Sequence, residues 1–186
     1  GEGGPAGLGQ AEPPAPGLGQ FFCLPPAAGN ELRAAAPGGL LALAERPDAY
    51  DLLRAGKAEL PSAVDELLRR HPPVLTFRRT AAHDTQLADR RIRAGDKVVV
   101  FHASANRDER AFAEPDRLDL TRPPNPHVSF GDGPHVCLGA HFARLQLRVL
   151  YGEALRAFPV LRTAGPAGRL TSNFINGLKS LPVQVT

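Results

Sequence analysis

The stretch "SFGDGPHVCLGAHFARL", residues 129–145, decides how this chain is read. Two glycines and a proline lead to His135, Cys137 stands two residues on, and Gly139 precedes a helix-like run. A thiolate is a soft, electron-rich ligand that needs stabilising to stay deprotonated at neutral pH. The start of a helix offers such help through unpaired backbone N–H groups and the positive end of its dipole. Gly131 and Gly133 let the backbone turn tightly and let a large flat object come close. Gly139 removes a side chain where that object meets the helix, and His135 is a donor or cation nearby. An isolated cysteine is more often a small buried hydrophobe. With these neighbours, Cys137 suits a metal bound beneath a planar cofactor.

The bulk numbers fit one domain. A chain of 186 residues can bury a real core. Its 42% apolar and 22% charged residues are those of a soluble globular protein. A formal net charge of +3, from 22 Lys and Arg against 19 Asp and Glu, argues against a nucleic-acid binder. Two cysteines, Cys23 and Cys137, make no disulfide framework and point to a reducing compartment. The sequence shows neither an apolar run of membrane length nor a leader pattern, so the expected location is cytoplasmic. Methionine is absent even at position 1, which points to a processed start or a fragment.

Residues 1–26 are rich in Gly, Pro and Ala and read as a flexible segment, with residues 27–186 as the folded domain. The composition predicts an interrupted helix over 27–45, because Pro37, Gly38 and Gly39 sit inside it. Helices follow over 47–55 and 61–70, opened by Pro47 and Pro61. Residues 74–103 read as strands with a turn at Ala94-Gly95-Asp96. A short helix is expected over 104–112, a proline-rich meander over 113–136, and a long helix from about Leu138 to Phe158. That helix carries a broad apolar arc through Phe142, Leu145, Val149 and Leu150 and should be largely buried. The tail reads as two or three short strands joined by "NFING". The fold class is α+β, mostly helical.

The loop resembles the haem-binding loop of the cytochrome P450 family, Phe-x-x-Gly-x-His/Arg-x-Cys-x-Gly, and "FGDGPHVCLG" (130–139) fills every one of those positions. The resemblance covers residues 27–186 and corresponds to the C-terminal part of that fold. It implies haem b as cofactor, with Cys137 as the axial metal ligand, Phe130 beside the thiolate, His135 on a haem propionate and Gly139 where the haem meets the helix. A second signature, Glu-x-x-Arg, falls on Glu66 and Arg69. By periodicity alone this pair lies opposite the apolar stripe of its helix, as a solvated pair would. The resemblance instead buries it beneath the haem with an arginine of the meander, which "EPDRLDL" assigns to Arg117. "FRRTAAHD" resembles the family strand whose arginine holds a propionate. Arg79 is the better match and Arg78 the alternative, since neighbours on a strand face opposite ways.

"AAGNELRAAA" resembles the oxygen-binding helix. Ala28, Gly29 and Glu31 match, and Glu31 is the candidate for proton delivery. Leu32 stands where the family has a threonine, and leucine neither donates nor accepts a proton. "NFING" corresponds to the turn that dips toward substrate, so Phe174 and Ile175 are candidates to line the pocket, or simply apolar anchors of a hairpin. Arg144 and Arg148 on the long helix form either a docking patch for an acidic partner or a plain solvated face. The implied activity is haem-thiolate monooxygenation of a small organic substrate, with O2 and electrons from a ferredoxin- or flavodoxin-type donor. Two alternatives stay open: a non-catalytic haem-binding remnant, and a cysteine-nucleophile enzyme using Cys137 and His135.

Overall fold

The computed structural model describes residues 29–185. The flexible segment expected over 1–26, and with it Cys23 and Ala28, lies outside the described residues.

Three helices form the first half of the core: α1 (Gly29–Ala44), α2 (Pro47–Arg54) and α3 (Leu60–Arg70). The expected break in α1 does not occur; the helix runs through Pro37. Proline removes one donor, to the carbonyl of Arg33, and Arg33 is exposed, where water can replace it. On both sides of Pro37 the helix is held by burial of Leu32, Ala36, Leu40, Leu41 and Leu43. The two glycines after the proline serve packing rather than bending. A Cβ on Gly39 would collide with the Tyr151 hydroxyl, and one on Gly38 would lie 3.1 Å from the His71 Cβ. Tyr151 is 1% exposed, and its hydroxyl donates to the carbonyls of Ala35 and Ala36 at 3.3 Å each. Gly39→Ala is therefore expected to lose about 1–3 kcal/mol in urea unfolding, although alanine is the better helix former. Adding Tyr151→Phe should recover part of that loss, because it removes the atom met first.

The long helix α5 (Ala140–Ala157) packs across α1 and α3. It is buried on one face only, through Leu147, Leu150, Tyr151 and Ala154. Phe142, Leu145 and Val149 are exposed, against the expectation that the whole arc would be covered. The arc is wider than the surface α1 and α3 offer it. From α2, Tyr50 donates to the carbonyls of Ala154 and Phe158 at the end of α5, at 3.2 and 2.7 Å.

The strands form four antiparallel pairs rather than one sheet. β1 (Thr76–Thr80) pairs β4 (Lys97–Phe101), and β2 (Thr85–Leu87) pairs β3 (Arg90–Ile92). In the tail, β5 (Leu161–Thr163) pairs β8 (Val183–Val185), and β6 (Gly168–Arg169) pairs β7 (Leu178–Ser180). The β3–β4 turn contains Gly95 at φ +90, the left-handed region that favours glycine. The helix expected over 104–112 is only α4 (His102–Ala105); Asn106 then turns its side chain into the core, and turns follow. From there to Asp132 the chain is an irregular meander.

His71, which caps α3, is partly buried and close to Arg70, Arg169 and Arg107; burial first, then those cations, lowers its pKa from 6.5 to about 4. Between those values the unfolded chain binds more protons, so stability rises with pH across the window and is lost as pH falls to about 4. The effect is on the order of 2–3 kcal/mol after allowing for solvent. Urea unfolding midpoints at acidic and neutral pH should show it, and His71→Gln should flatten most of the slope.

Candidate functional site

Glu66 and Arg69 are fully buried, at 0% exposure each, despite lying off the apolar stripe of α3. Their pairing is bidentate: Arg69 Nε donates to Glu66 Oε2 and Nη2 to Oε1, both at 2.8 Å. The remaining Arg69 donors reach the carbonyls of Asn106 (2.6 Å), Pro115 (2.8 Å) and Arg117 (3.2 Å). All five guanidinium N–H groups are thereby satisfied. Glu66 also accepts from the Asp119 N–H, Arg122 Nε and Asn125 Nδ2 at 2.9, 3.2 and 3.1 Å.

The meander arginine on this pair is thus Arg122, not the expected Arg117. The Arg117 side chain is exposed and bonds Glu114 at 2.9 Å, while its backbone carbonyl accepts from both Arg69 and Arg122. Arg117 supplies the fixed backbone and Arg122 the charge. Sequence spacing found the right segment but could not tell a side-chain contact from a carbonyl contact.

The same hub fixes the glycine-rich loop. Asn106 Nδ2 donates to the Arg69 carbonyl (3.1 Å) and to Ser129 Oγ (2.8 Å), and its Oδ1 accepts from the Val128 N–H at 2.8 Å. Ser129 Oγ donates to the Leu68 carbonyl at 2.8 Å. The C-terminal end of α3 therefore holds the residue next to Phe130. A second tie runs through Asp65, which accepts from Arg144 Nε at 2.7 Å and pairs with His127 Nε2 at 3.2 Å. Burial acts to raise the Asp65 pKa, but these two partners outweigh it and hold it below the usual value. The Arg144 guanidinium lies 4.5 Å from the centre of the Phe130 ring. Arg144 is engaged by this network rather than free on a solvated face, and Arg148 Nε is buried without a partner among the described residues.

Beyond Phe130 the loop is shaped by its backbone. Gly131 and Gly133 adopt φ +75 and +70, Gly133–His135 form a 3-10 turn, and the Cys137 N–H returns to the Phe130 carbonyl at 2.9 Å. Cys137 is exposed and stands three residues before the first residue of α5. A Cβ on Gly139 would sit 3.9 Å from its Sγ, so the glycine leaves the sulfur side of the helix start open.

Cys137 opens into a cavity of about 750 Å³, within the range of cofactor pockets. The cavity gathers Phe130, His135, Gly139 and Arg79 with Cys137, and on another wall Glu31 and Leu32 of α1. Arg79, not Arg78, faces it. Phe174 and Ile175 stand one layer back: Phe174 meets Phe77 edge-on at 5.7 Å, and Ile175 bridges Val74. Phe77 and Val74 are the residues that line the cavity. Sequence reasoning missed Arg122, Asn106, Ser129, Asp65, His127 and His102; none belongs to a short motif.

A family model for cytochrome P450 matches residues 60–181. A methyl-branched lipid omega-hydroxylase of Mycobacterium bovis is 46% identical over 170 residues, 89% of this chain and 40% of that protein. Linalool 8-monooxygenase of Pseudomonas putida is 42% identical over 144 residues, 77% of this chain and 36% of that protein. Among solved structures, CYP108D1 of Novosphingobium aromaticivorans superposes with a TM-score of 0.80 at 42% identity, covering 86% of this chain and 39% of that one. The fold is that of the C-terminal portion of the cytochrome P450 fold. The chain belongs to the cytochrome P450 family and spans about two fifths of the length of these relatives.

The residues present fit haem. Cys137 is a soft donor facing the cavity, Arg79 and His135 are suited to carboxylates, and Phe77, Val100, Phe142 and Ala143 line it with apolar surface. No helix among the described residues is long and apolar enough to cross a membrane.

Proposed function

We propose that this chain carries the haem-thiolate half of a cytochrome P450 monooxygenase, located in the cytoplasm. The observation that carries the reading is that Cys137 opens into one cavity with Arg79, His135, Glu31 and Leu32. The lining as a whole comes from four separate stretches of sequence, 31–32, 73–79, 100–105 and 128–146. In this reading Cys137 ligates the iron of haem b, and Arg79 and His135 bind its carboxylates as a fork and a ring donor. Phe130, held against the Arg144 guanidinium, is the ring beside the sulfur in this reading. When bound, the thiolate-ligated haem supplies O2 activation with two electrons from a ferredoxin- or flavodoxin-type donor.

The substrate is a small apolar organic molecule, since Leu32, Val74, Phe77 and Val100 line the cavity with hydrocarbon. Glu31 is the proton-delivering candidate because it is exposed and lines the same cavity. Leu32 favours a second reading, a haem binder without turnover: it is 5% exposed and places hydrocarbon where a hydroxyl would relay protons. Absorption spectroscopy of the reduced, CO-treated chain tests haem-thiolate ligation. Substrate turnover with a ferredoxin donor then separates oxygenase from binder.

A further inference from the structure

One carboxylate reaches both ends of the loop that carries Cys137. Residues 132–139 are all exposed, so no buried side chain within that run fixes where the sulfur stands. Its place is set by what holds the two ends. The first end is Phe130, whose carbonyl accepts the Cys137 N–H at 2.9 Å. The second is the first turn of α5, which opens at Ala140. A bond from α3 to each end fixes the span that the loop must bridge.

Asp65 of α3 makes both bonds with one oxygen. Its Oδ1 accepts from Arg144 Nε of α5 at 2.7 Å and pairs with His127 Nε2, on the chain entering the loop, at 3.2 Å. The Ser129 N–H donates to His127 Nδ1 at 3.2 Å, which leaves the proton of a neutral ring on Nε2, toward the carboxylate. The His127 side chain is 2% exposed and those of Asp65 and Arg144 31% each, so solvent screens this network only in part. Both partners also meet Phe130: the guanidinium lies 4.5 Å and the imidazole 6.0 Å from the centre of its ring. The hub around Arg69 holds only the entering side of the loop, through Asn106 and Ser129. Among the described residues, no other side-chain hydrogen bond leaves the first two turns of α5.

We propose that Asp65 is a positioning residue for iron ligation: by bonding Arg144 and His127 together it sets the span between the two ends of the loop, and so the place of the Cys137 thiolate. Asp65 does not line the cavity and acts only through Phe130 and α5. The inference rests on the haem reading above. It requires that the persistence of thiolate ligation depend on a carboxylate at position 65 and on its tie to Arg144.

The test uses the full chain loaded with haem. It follows the rate at which the thiolate-type spectrum of the reduced, CO-treated protein gives way to one without thiolate character. Asp65→Ala should lose the spectrum about tenfold faster than the parent, the worth of one charge-assisted hydrogen bond. Asp65→Glu, which keeps the carboxylate, should recover most of the difference. Arg144→Gln should lose it about as fast as Asp65→Ala, and the double variant no faster than either, since all three break one tie. Gly39→Ala is the stability control: it weakens the fold in α1, against Tyr151, and should keep the parent rate. A parent-like rate in Asp65→Ala and Arg144→Gln overturns the proposal. So do effects that multiply in the double variant, or an equal acceleration in Gly39→Ala, which reports stability alone. Should Asp65→Ala not fold, Arg144→Gln decides by the same measure, because it breaks the tie from the other helix. If the parent chain itself gives no thiolate-type spectrum with CO, the haem reading falls and this inference with it. If that spectrum is present and the pattern of rates is absent, only the role of Asp65 falls.

Discussion

Cys137→Ala is expected to abolish the thiolate-type spectrum of the reduced, CO-treated protein while leaving the fold in place. The side chain is exposed and enters no packing cluster. The loop keeps its shape through backbone bonds that the substitution does not touch: Gly131 to Val128 at 2.9 Å, Val136 to Gly133 at 3.0 Å and Cys137 to Phe130 at 2.9 Å. Unfolding of the cofactor-free variant should therefore stay within about 0.5 kcal/mol of the parent. Loss of the spectrum is then a statement about ligation, not about folding. Cys23→Ala is the matched control and should keep the spectrum in full. A spectrum retained by both variants would show that neither cysteine is the ligand. A parent chain that binds haem with no thiolate signature would refute the proposed function directly.

The parts of the site that could be read from sequence were those where a residue type is demanded at a fixed local spacing. The loop glycines announce positive φ, and Gly131 and Gly133 have it. The helices opened by Pro47 and Pro61 were legible because proline suits a first turn and apolar residues recur at helical spacing. Long-range choices were not legible. Pro37 looked like a break because a missing donor is a local fact, whereas the burial of Leu40 and Leu43 that holds the helix together is a tertiary one. The exposed Phe142 and Val149 show the converse: periodicity reveals an apolar arc but not how much of it a partner surface covers. Arg122 and Arg117, five positions apart in one irregular segment, could not be ranked without knowing which backbone carbonyls point at Arg69. His102 and Asn106 lie near one another in sequence, yet one faces the cavity and the other the core.

Glu66→Ala should have the largest effect on stability of any single change in this chain. Glu66 is the common acceptor of Arg69, Arg122, Asn125 and the Asp119 N–H. Its removal leaves the guanidinium of Arg69 at 0% exposure and that of Arg122 at 9% with no carboxylate. Breaking a buried pair in this way costs about 3–5 kcal/mol, although the intact pair need not stabilise by as much over an apolar core. Against a total of about 5–15 kcal/mol, that shifts the urea midpoint far down or unfolds the chain. Arg117→Ala separates the two assignments of the meander arginine. Its side chain pairs only with Glu114 in solvent, so it should cost no more than about 0.5–1 kcal/mol. Arg122→Ala should cost clearly more, since it removes a nearly buried donor from Glu66 and from the Ala113 and Arg117 carbonyls. Equal losses for the two arginine variants would return the role to Arg117. Ser129→Ala separates support of the loop from stability at large. The hydroxyl ties Asn106 to the Leu68 carbonyl next to Phe130, so its loss should weaken haem retention more than it weakens the fold. The hub matters for the cofactor because α3, the meander and the loop that presents Cys137 share one set of buried donors and acceptors, and none of the three can shift without breaking it.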